Sequence, residues 1–227
     1  LQVKDTLVQR IVNGDWKAGA AIPNEIELSR ELGISVGTVR KALDEMEGER
    51  LISRRQGRGT FVIDQSSEES AFRFINFRSA GGVRLVTAVK SCELSAAPAN
   101  EFEAAKLNMR IGEPIFRLHR VLLCGATPFA VEDAALPQSR FPGLGQRGAI
   151  PPTIVGMAHL FGILLARAEE KIGATSANND VAAALEVAVG TPLLKLDSVV
   201  YAIDGNPVEW SKIHCNLKDN YYHTTIH

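Results

Sequence analysis

Apolar positions recur at helical spacing three times within the first fifty residues and then change to the alternation of strands. Val3, Leu7, Val8 and Ile11 share one face of residues 1 to about 12, closed by Asn13-Gly14, which predicts a first helix. Asn24 suits a helix N-cap and Glu27, three residues on, completes a capping-box pattern. A second helix is therefore expected from about Glu25 to Leu32, burying Leu28 and Leu32 and stopped by Gly33 in a left-handed turn. Ser35 caps a third helix whose Val39, Ala42, Leu43 and Met46 fall on one side, leaving Val36, Gly37, Thr38, Arg40, Lys41 and Asp44 on the others. Leu51-Ile52-Ser53 and Thr60-Phe61-Val62 then read as strands around the turn Gln56-Gly57-Arg58-Gly59.

Two capped helices joined by a short turn make a helix-turn-helix, whose second helix meets base edges in the major groove with its first turn. The hairpin adds a wing. Between Arg50 and Arg58 lie four arginines (50, 54, 55 and 58) and no acid, so its tip suits phosphates or a minor groove.

Ile63-Asp64-Gln65-Ser66-Ser67-Glu68-Glu69-Ser70 is polar and acidic, the composition of a linker. Beyond it the chain repeats itself. Residues 107–121, with Gly112-Glu113-Pro114, align without a gap to residues 185–199, with Gly190-Thr191-Pro192. Each copy then passes a Gly/Pro turn to a glutamate, Glu132 or Glu209. The expected order in each copy is helix (99–107, 178–187), outgoing strand (114–123, 192–203) and return strand (129–136, 207–217). A unit used twice predicts an antiparallel sheet of pseudo-twofold design with helices on one face, so the fold class is α+β.

Charge changes this picture less than its placement does. The net charge is −1, and residues 1–64 hold ten basic and ten acidic side chains. A DNA-binding reading therefore rests on clustering, with Arg40, Lys41 and the wing arginines set against Glu45, Glu47 and Glu49 on the far side. Cys92, Cys124 and Cys215 lack metal-ligand or CxxC spacing and suit reduced thiols. Of the five histidines only the tail pair His223 and His227 has ligand-like spacing, and that pair reads as a disordered or surface-exposed end. No metal, cofactor or membrane span is expected, since no apolar run approaches the roughly 18 residues a span needs.

Pro23-Asn24-Glu25, Leu28, Leu32-Gly33-Ile34-Ser35, Thr38-Val39-Arg40-Lys41-Ala42-Leu43 and Gln56-Gly57-Arg58-Gly59-Thr60-Phe61-Val62 closely resemble the winged helix of GntR-family bacterial transcription regulators. Gly112-Glu113-Pro114, Gly125-Ala126-Thr127-Pro128 with Glu132, Phe141-Pro142-Gly143-Leu144, Gly190-Thr191-Pro192 and Asp204-Gly205-Asn206-Pro207-Val208-Glu209 resemble the UTRA effector-binding domain of the HutC subfamily, whose fold is related to chorismate lyase. The resemblance implies a winged helix-turn-helix at 1–63, a linker at 64–71, and an effector-binding and dimerisation domain at 72–227. It implies DNA contacts from Asn24, Ser35, Val36, Gly37, Thr38, Arg40 and Lys41 and from Arg55, Gly57, Arg58 and Gly59 of the wing. Ile26 and Val36 stand where family members often carry arginine, so the operator does not transfer.

The resemblance also places an effector between the halves of the sheet, on Arg120, Glu132 and Glu209. Arginine clamps a carboxylate or phosphate and glutamates accept from hydroxyl, amine or imidazole donors; alternatively Arg120 and Glu132 simply pair across neighbouring strands. Relatives that bind sugar phosphates have a Ser/Thr-rich stretch after the linker, where this chain has Phe72-Arg73-Phe74-Ile75-Asn76-Phe77-Arg78. Arg73 or Arg78 would then face an organic acid, with Phe74 or Phe77 as a flat wall or as plain core. Thr153 and Arg167 complete the candidates. The implied protein is a cytoplasmic, homodimeric regulator, a repressor released from an inverted-repeat DNA operator by an organic-acid or amino-acid-derived effector. The alternatives are an enzyme related to chorismate lyase and a DNA-binding protein whose second domain only dimerises.

Overall fold

The computed structural model describes residues 2–64, 74 and 76–224. Three helices come first: α1 (Gln2–Val12), α2 (Glu25–Leu32) and α3 (Val36–Gly48). The Asn24 side chain accepts from the backbone N–H groups of Ile26 and Glu27, each at 3.0 Å, while the Asn24 N–H donates to Glu27 Oε2 at 2.9 Å. Gly33 ends α2 at φ 66°, a left-handed conformation that a Cβ disfavours. Leu7, Leu28, Val39, Leu43 and Met46 are sealed from solvent and form one cluster with Trp16, Leu51, Ile52 and Val62. Each such side chain contributes roughly 1.5–3 kcal/mol. The wing is β2 (Ile52–Arg55) against β3 (Gly59–Val62), with a short third strand, β1 (Ala21–Ile22), on the other side of β3.

The capping box of α2 gives a local prediction. Asn24→Ala should weaken the three-helix unit by about 1 kcal/mol, with most of the loss recovered by Asn24→Asp. Denaturation followed by Trp16 fluorescence measures it; an unchanged midpoint for the alanine variant would show that the cap is dispensable.

The second part is a six-stranded antiparallel sheet in the order β5-β6-β7-β10-β9-β8. Its strands are β5 (Thr87–Pro98), β6 (Pro114–Cys124), β7 (Thr127–Pro137), β8 (Leu165–Ser176), β9 (Pro192–Ala202) and β10 (Pro207–Cys215). The halves meet at β7 and β10, where Ala134 lies opposite Ser211. Helix α4 (Glu101–Leu107) follows β5, and α6 (Asn179–Leu185) follows β8. Asn100 and Asn178 cap them as Asn24 caps α2. Both pack on one face: Leu107 with Ile115, Ala135 and Trp210, and Leu185 with Val121 and Val131.

The repeat is thus strand, helix, strand, strand. The leading strands β5 and β8 are absent from the pattern-based expectation because they form the sheet edges and are mostly exposed, so neither shows the alternation that betrays a half-buried strand. The opposite face is covered as well. Residues 138–163, including α5 (Ile154–Leu160), fold over it and bring Phe141, Leu144, Val155 and Met157 onto Leu118, Ala134 and Val200. The expected linker lies outside the described residues except for Asp64. In the tail, β11 (Tyr221–Tyr222) pairs with β4 (Phe77–Arg78) and the His223 N–H donates to the Asn76 carbonyl at 2.8 Å, while His223 itself is exposed as expected and His227 lies outside the described residues. Among the described residues no helix is long and apolar enough to cross a membrane.

Candidate functional site

At the N-terminal end of α3 the Ser35 hydroxyl accepts from the Thr38 N–H at 3.1 Å and lies 2.8 Å from the Thr38 hydroxyl. Gly37, Thr38, Arg40 and Lys41 are exposed, and Val36 is half-buried. Free N–H groups and hydroxyls at a helix start suit a phosphate or a base edge. Arg40 is not loose: its Nε and Nη2 donate to Glu25 Oε2 at 2.9 and 2.7 Å, which aims the guanidinium while leaving its side chain 60% exposed.

The wing arginines divide into two sorts. Arg54 is drawn into the helices, 2.5 Å from Asp44, 2.9 Å from Glu47 and 3.6 Å from Glu25. It therefore braces the wing against α2 and α3 instead of presenting charge. Glu47, expected on the far side, is one of its partners. Arg55 lies over the Phe61 ring at 4.7 Å, while Arg58 stands exposed on the turn between Gly57 (φ 70°) and Gly59 (φ 105°). Both glycine conformations are ones side chains rarely adopt, and they bring the backbone to the tip.

The other candidate site is a cavity of about 60 Å³ between the sheet and the roof formed by residues 151–155. Arg120, Glu132, Thr153 and Glu209 line it together, with Phe74 and Phe77 among its apolar walls. Arg120 is 2% exposed. Its Nε and Nη2 lie 2.7 and 2.6 Å from Glu132 Oε2, and its Nη1 donates to the carbonyls of Pro151 and Pro152 at 3.2 and 2.8 Å. Arg120 therefore pairs across strands and clamps the roof. Thr153 is likewise occupied, capping α5 through the Gly156 N–H at 3.1 Å.

Glu209 differs. It is 3% exposed and its Oε2 has no hydrogen-bond partner among the described residues. Burial first, then the neighbouring Glu132, push its carboxyl up to about 8, with Arg120 opposing them. Glu170, also on the lining, accepts from the Tyr222 hydroxyl and is raised by burial.

Arg73, an expected site residue, lies outside the described residues, and two others do not line the cavity. Arg78, on β4, is not on the cavity lining, and its Nη1 is buried without a partner among the described residues. Arg167 is exposed outside, stacked 3.8 Å over Tyr201 and paired with Glu169, because its position on β8 turns it from the lining. Of the arginines expected at the effector site, Arg78 and Arg167 lie off this lining; among the described residues Arg120 is the cation on it, and it is already engaged by Glu132 and the two roof carbonyls. Phe77 is both core and wall, edge-on to Phe129 at 5.0 Å and to Tyr222 at 5.3 Å. Ser198 and Ser211, opposite each other on β9 and β10, line the cavity but were missed; serines facing inward in apolar strands were the available signal. His119 pairs with Asp133 at 2.7 Å on the face bearing α4 and α6.

Residues 83–219 match the UTRA domain family, and residues 1–62 match the family described as bacterial regulatory proteins, gntR family. An HTH-type transcriptional regulator of Mycobacterium tuberculosis is 31% identical over 230 residues, covering 94% of this chain and 80% of that protein. The mannosyl-D-glycerate transport/metabolism system repressor of Escherichia coli is 26% identical, covering 99% and 94%. Among solved structures, the ligand-binding domain of a GntR-family transcriptional regulator from Bordetella bronchiseptica is 25% identical, with a TM-score of 0.59 over 68% of this chain and 98% of its own. These relatives are regulators, which removes the enzyme reading. With a winged helix at one end and the duplicated sheet at the other, the chain belongs to the GntR family of bacterial transcriptional regulators, of the HutC type that carries a UTRA domain.

Proposed function

We propose that this chain is a homodimeric repressor that leaves its DNA operator when a small effector enters the cavity under residues 151–155. Residues 1–63 act as the reading head, 64–71 as the linker and 72–227 as the sensing and dimerising body. The reading is carried by one observation: a lined cavity holding a buried carboxyl group without a partner among the described residues lies in the same chain as a capped helix start and an arginine-tipped wing. Two relatives carry the word repressor in their names, one of a mannosyl-D-glycerate transport/metabolism system and one of a fructoselysine utilization operon, which supports repression here.

Two heads joined by symmetry fit an inverted repeat in the cytoplasm, where the chromosome lies. Binding by both heads multiplies affinity by an effective concentration, so a modest reorientation through the linker suffices to lose the operator. Ser35, Thr38, Arg40 and Lys41 would position the first turn of α3 in the major groove, and Gly57, Arg58 and Gly59 would set the wing on the backbone. Exposed Ile26 offers an apolar contact in place of a charged one.

Electrophoretic mobility shift with DNA from upstream of the chain's own gene tests the proposal. Arg58→Ala should weaken binding about tenfold and flatten the salt dependence by about one unit of slope. Arg40→Ala should weaken it at least as much while the fold persists, because Glu25 keeps Arg54 as a partner. Unchanged affinity in both variants at moderate salt would overturn the assignment of the reading face; a monomer in sedimentation would overturn the dimer.

A further inference from the structure

The two halves of the sheet treat their glutamates differently. Glu132 lies directly opposite Arg120 across β6 and β7, and the two pair. Glu209, its counterpart in the second copy, lies opposite Val200 on β9. The repeat has therefore kept the acid twice and a cross-strand cation once.

Among the described residues, the charged groups around Glu209 offer no substitute. On β6, Arg120 is held by Glu132 and by two roof carbonyls. On β7 and β8, Glu132 and Glu170 share this cavity lining and are acids themselves. A carboxylate buried among apolar walls needs a charge-assisted donor or must keep its proton. Phe74, Phe77, Phe129 and Val155 supply those walls.

From this juxtaposition we infer that the effector is a small organic cation, with a primary ammonium, amidinium or imidazolium head that pairs with Glu209 and a short apolar body that packs on the aromatic walls. The inference rests on the reading of this cavity as the effector site. The space fits: about 60 Å³ accepts roughly four to six water-sized groups, a compact head with a short tail. The proton completes the scheme. Because the empty Glu209 holds its proton to about 8, a cation binding near neutral pH displaces that proton to solvent, and affinity rises with pH until Glu209 is ionised without help.

Titration calorimetry on the full chain near neutral pH, in two buffers of different ionisation enthalpy, tests this with n-butylammonium, 1-butanol and butyrate as probes. The expected result is millimolar binding of n-butylammonium with release of close to one proton, and at least tenfold weaker binding of the other two. Glu209→Gln should remove both the preference and the proton release, and Ser198→Leu, which fills the cavity, should remove binding altogether; circular dichroism confirms that both variants fold. If butyrate or butanol binds as well as the amine, and Ser198→Leu abolishes this while Glu209→Gln does not, the cation is wrong and the effector site stands. If no probe binds, or if binding survives Ser198→Leu, the inference and the effector site both fall.

Discussion

Arg120→Ala should cost the sensing body about 3–5 kcal/mol, because it leaves Glu132 as an uncompensated buried charge. Both partners are almost wholly buried, the arginine side chain at 2% and the glutamate at 7%, so solvent screens the pair little. The substitution also releases two roof carbonyls, those of Pro151 and Pro152, from a charged donor. Removing both charges is a different matter. Arg120→Met with Glu132→Leu should be much less destabilising than either single change, since the remaining apolar groups demand no partner. Urea denaturation of the body, followed by Trp210 in a Trp16→Phe background, measures the cycle. A single-variant loss below about 1 kcal/mol would mean that water reaches the pair.

Loss of induction in an Arg120 variant would consequently be ambiguous. The same change that removes a ligand-facing group also unpins the roof over the cavity, so Glu209 is the cleaner probe of ligand contact.

Glu209→Gln should stabilise the protein, and do so increasingly as the pH rises. In the folded chain the carboxyl is raised to about 8 from an ordinary value of 4.5, by burial and by Glu132. Below the ordinary value both folded and unfolded states carry the proton and the native chain suffers no penalty. Between the two values only the unfolded state ionises, so stability falls as pH rises, and the loss is complete above about 8. The ceiling is about 5 kcal/mol, at about 1.4 kcal/mol per pKa unit, and relaxation of the cavity lowers it. Melting temperatures of the two proteins should therefore lie close together near about pH 4 and separate by several degrees near about pH 8. A constant separation across that range would show that Glu209 is already ionised and paired.

Local signals carried most of the fold. Asn24, Glu27, Gly33 and Ser35 mark the ends of α2 and α3 in the chain itself, because capping needs those residue types and little else. The doubled Gly-x-Pro segments likewise mark the starts of β6 and β9. What stayed hidden depends on partners far along the chain. The exposed edge strands β5 and β8 lack alternation, and the two-residue strands β1, β4 and β11 exist only through their pairing. The site shows the same division. Arg120, Glu132 and Glu209 were identifiable by type and position, but which glutamate has an arginine depends on the register across β6–β7 and β9–β10. Arg54 misled for that reason as well: a basic run looks uniformly available until Asp44 and Glu47 are found beside one of its members.

The seam between the halves also bears on how the chain is made. Strand β7 is flanked by β6 and β10, and β10 is translated only after the roof, β8, α6 and β9 have emerged. At about 5–20 residues per second, a nascent chain on the ribosome carries the bare edge of β7 for several seconds. That edge holds Val131, Ala134, Ala135 and Leu136, an invitation to pair with another newly made copy. Slow synthesis or crowded polysomes would thus favour misassembly of this protein at β7 well before either glutamate meets a ligand.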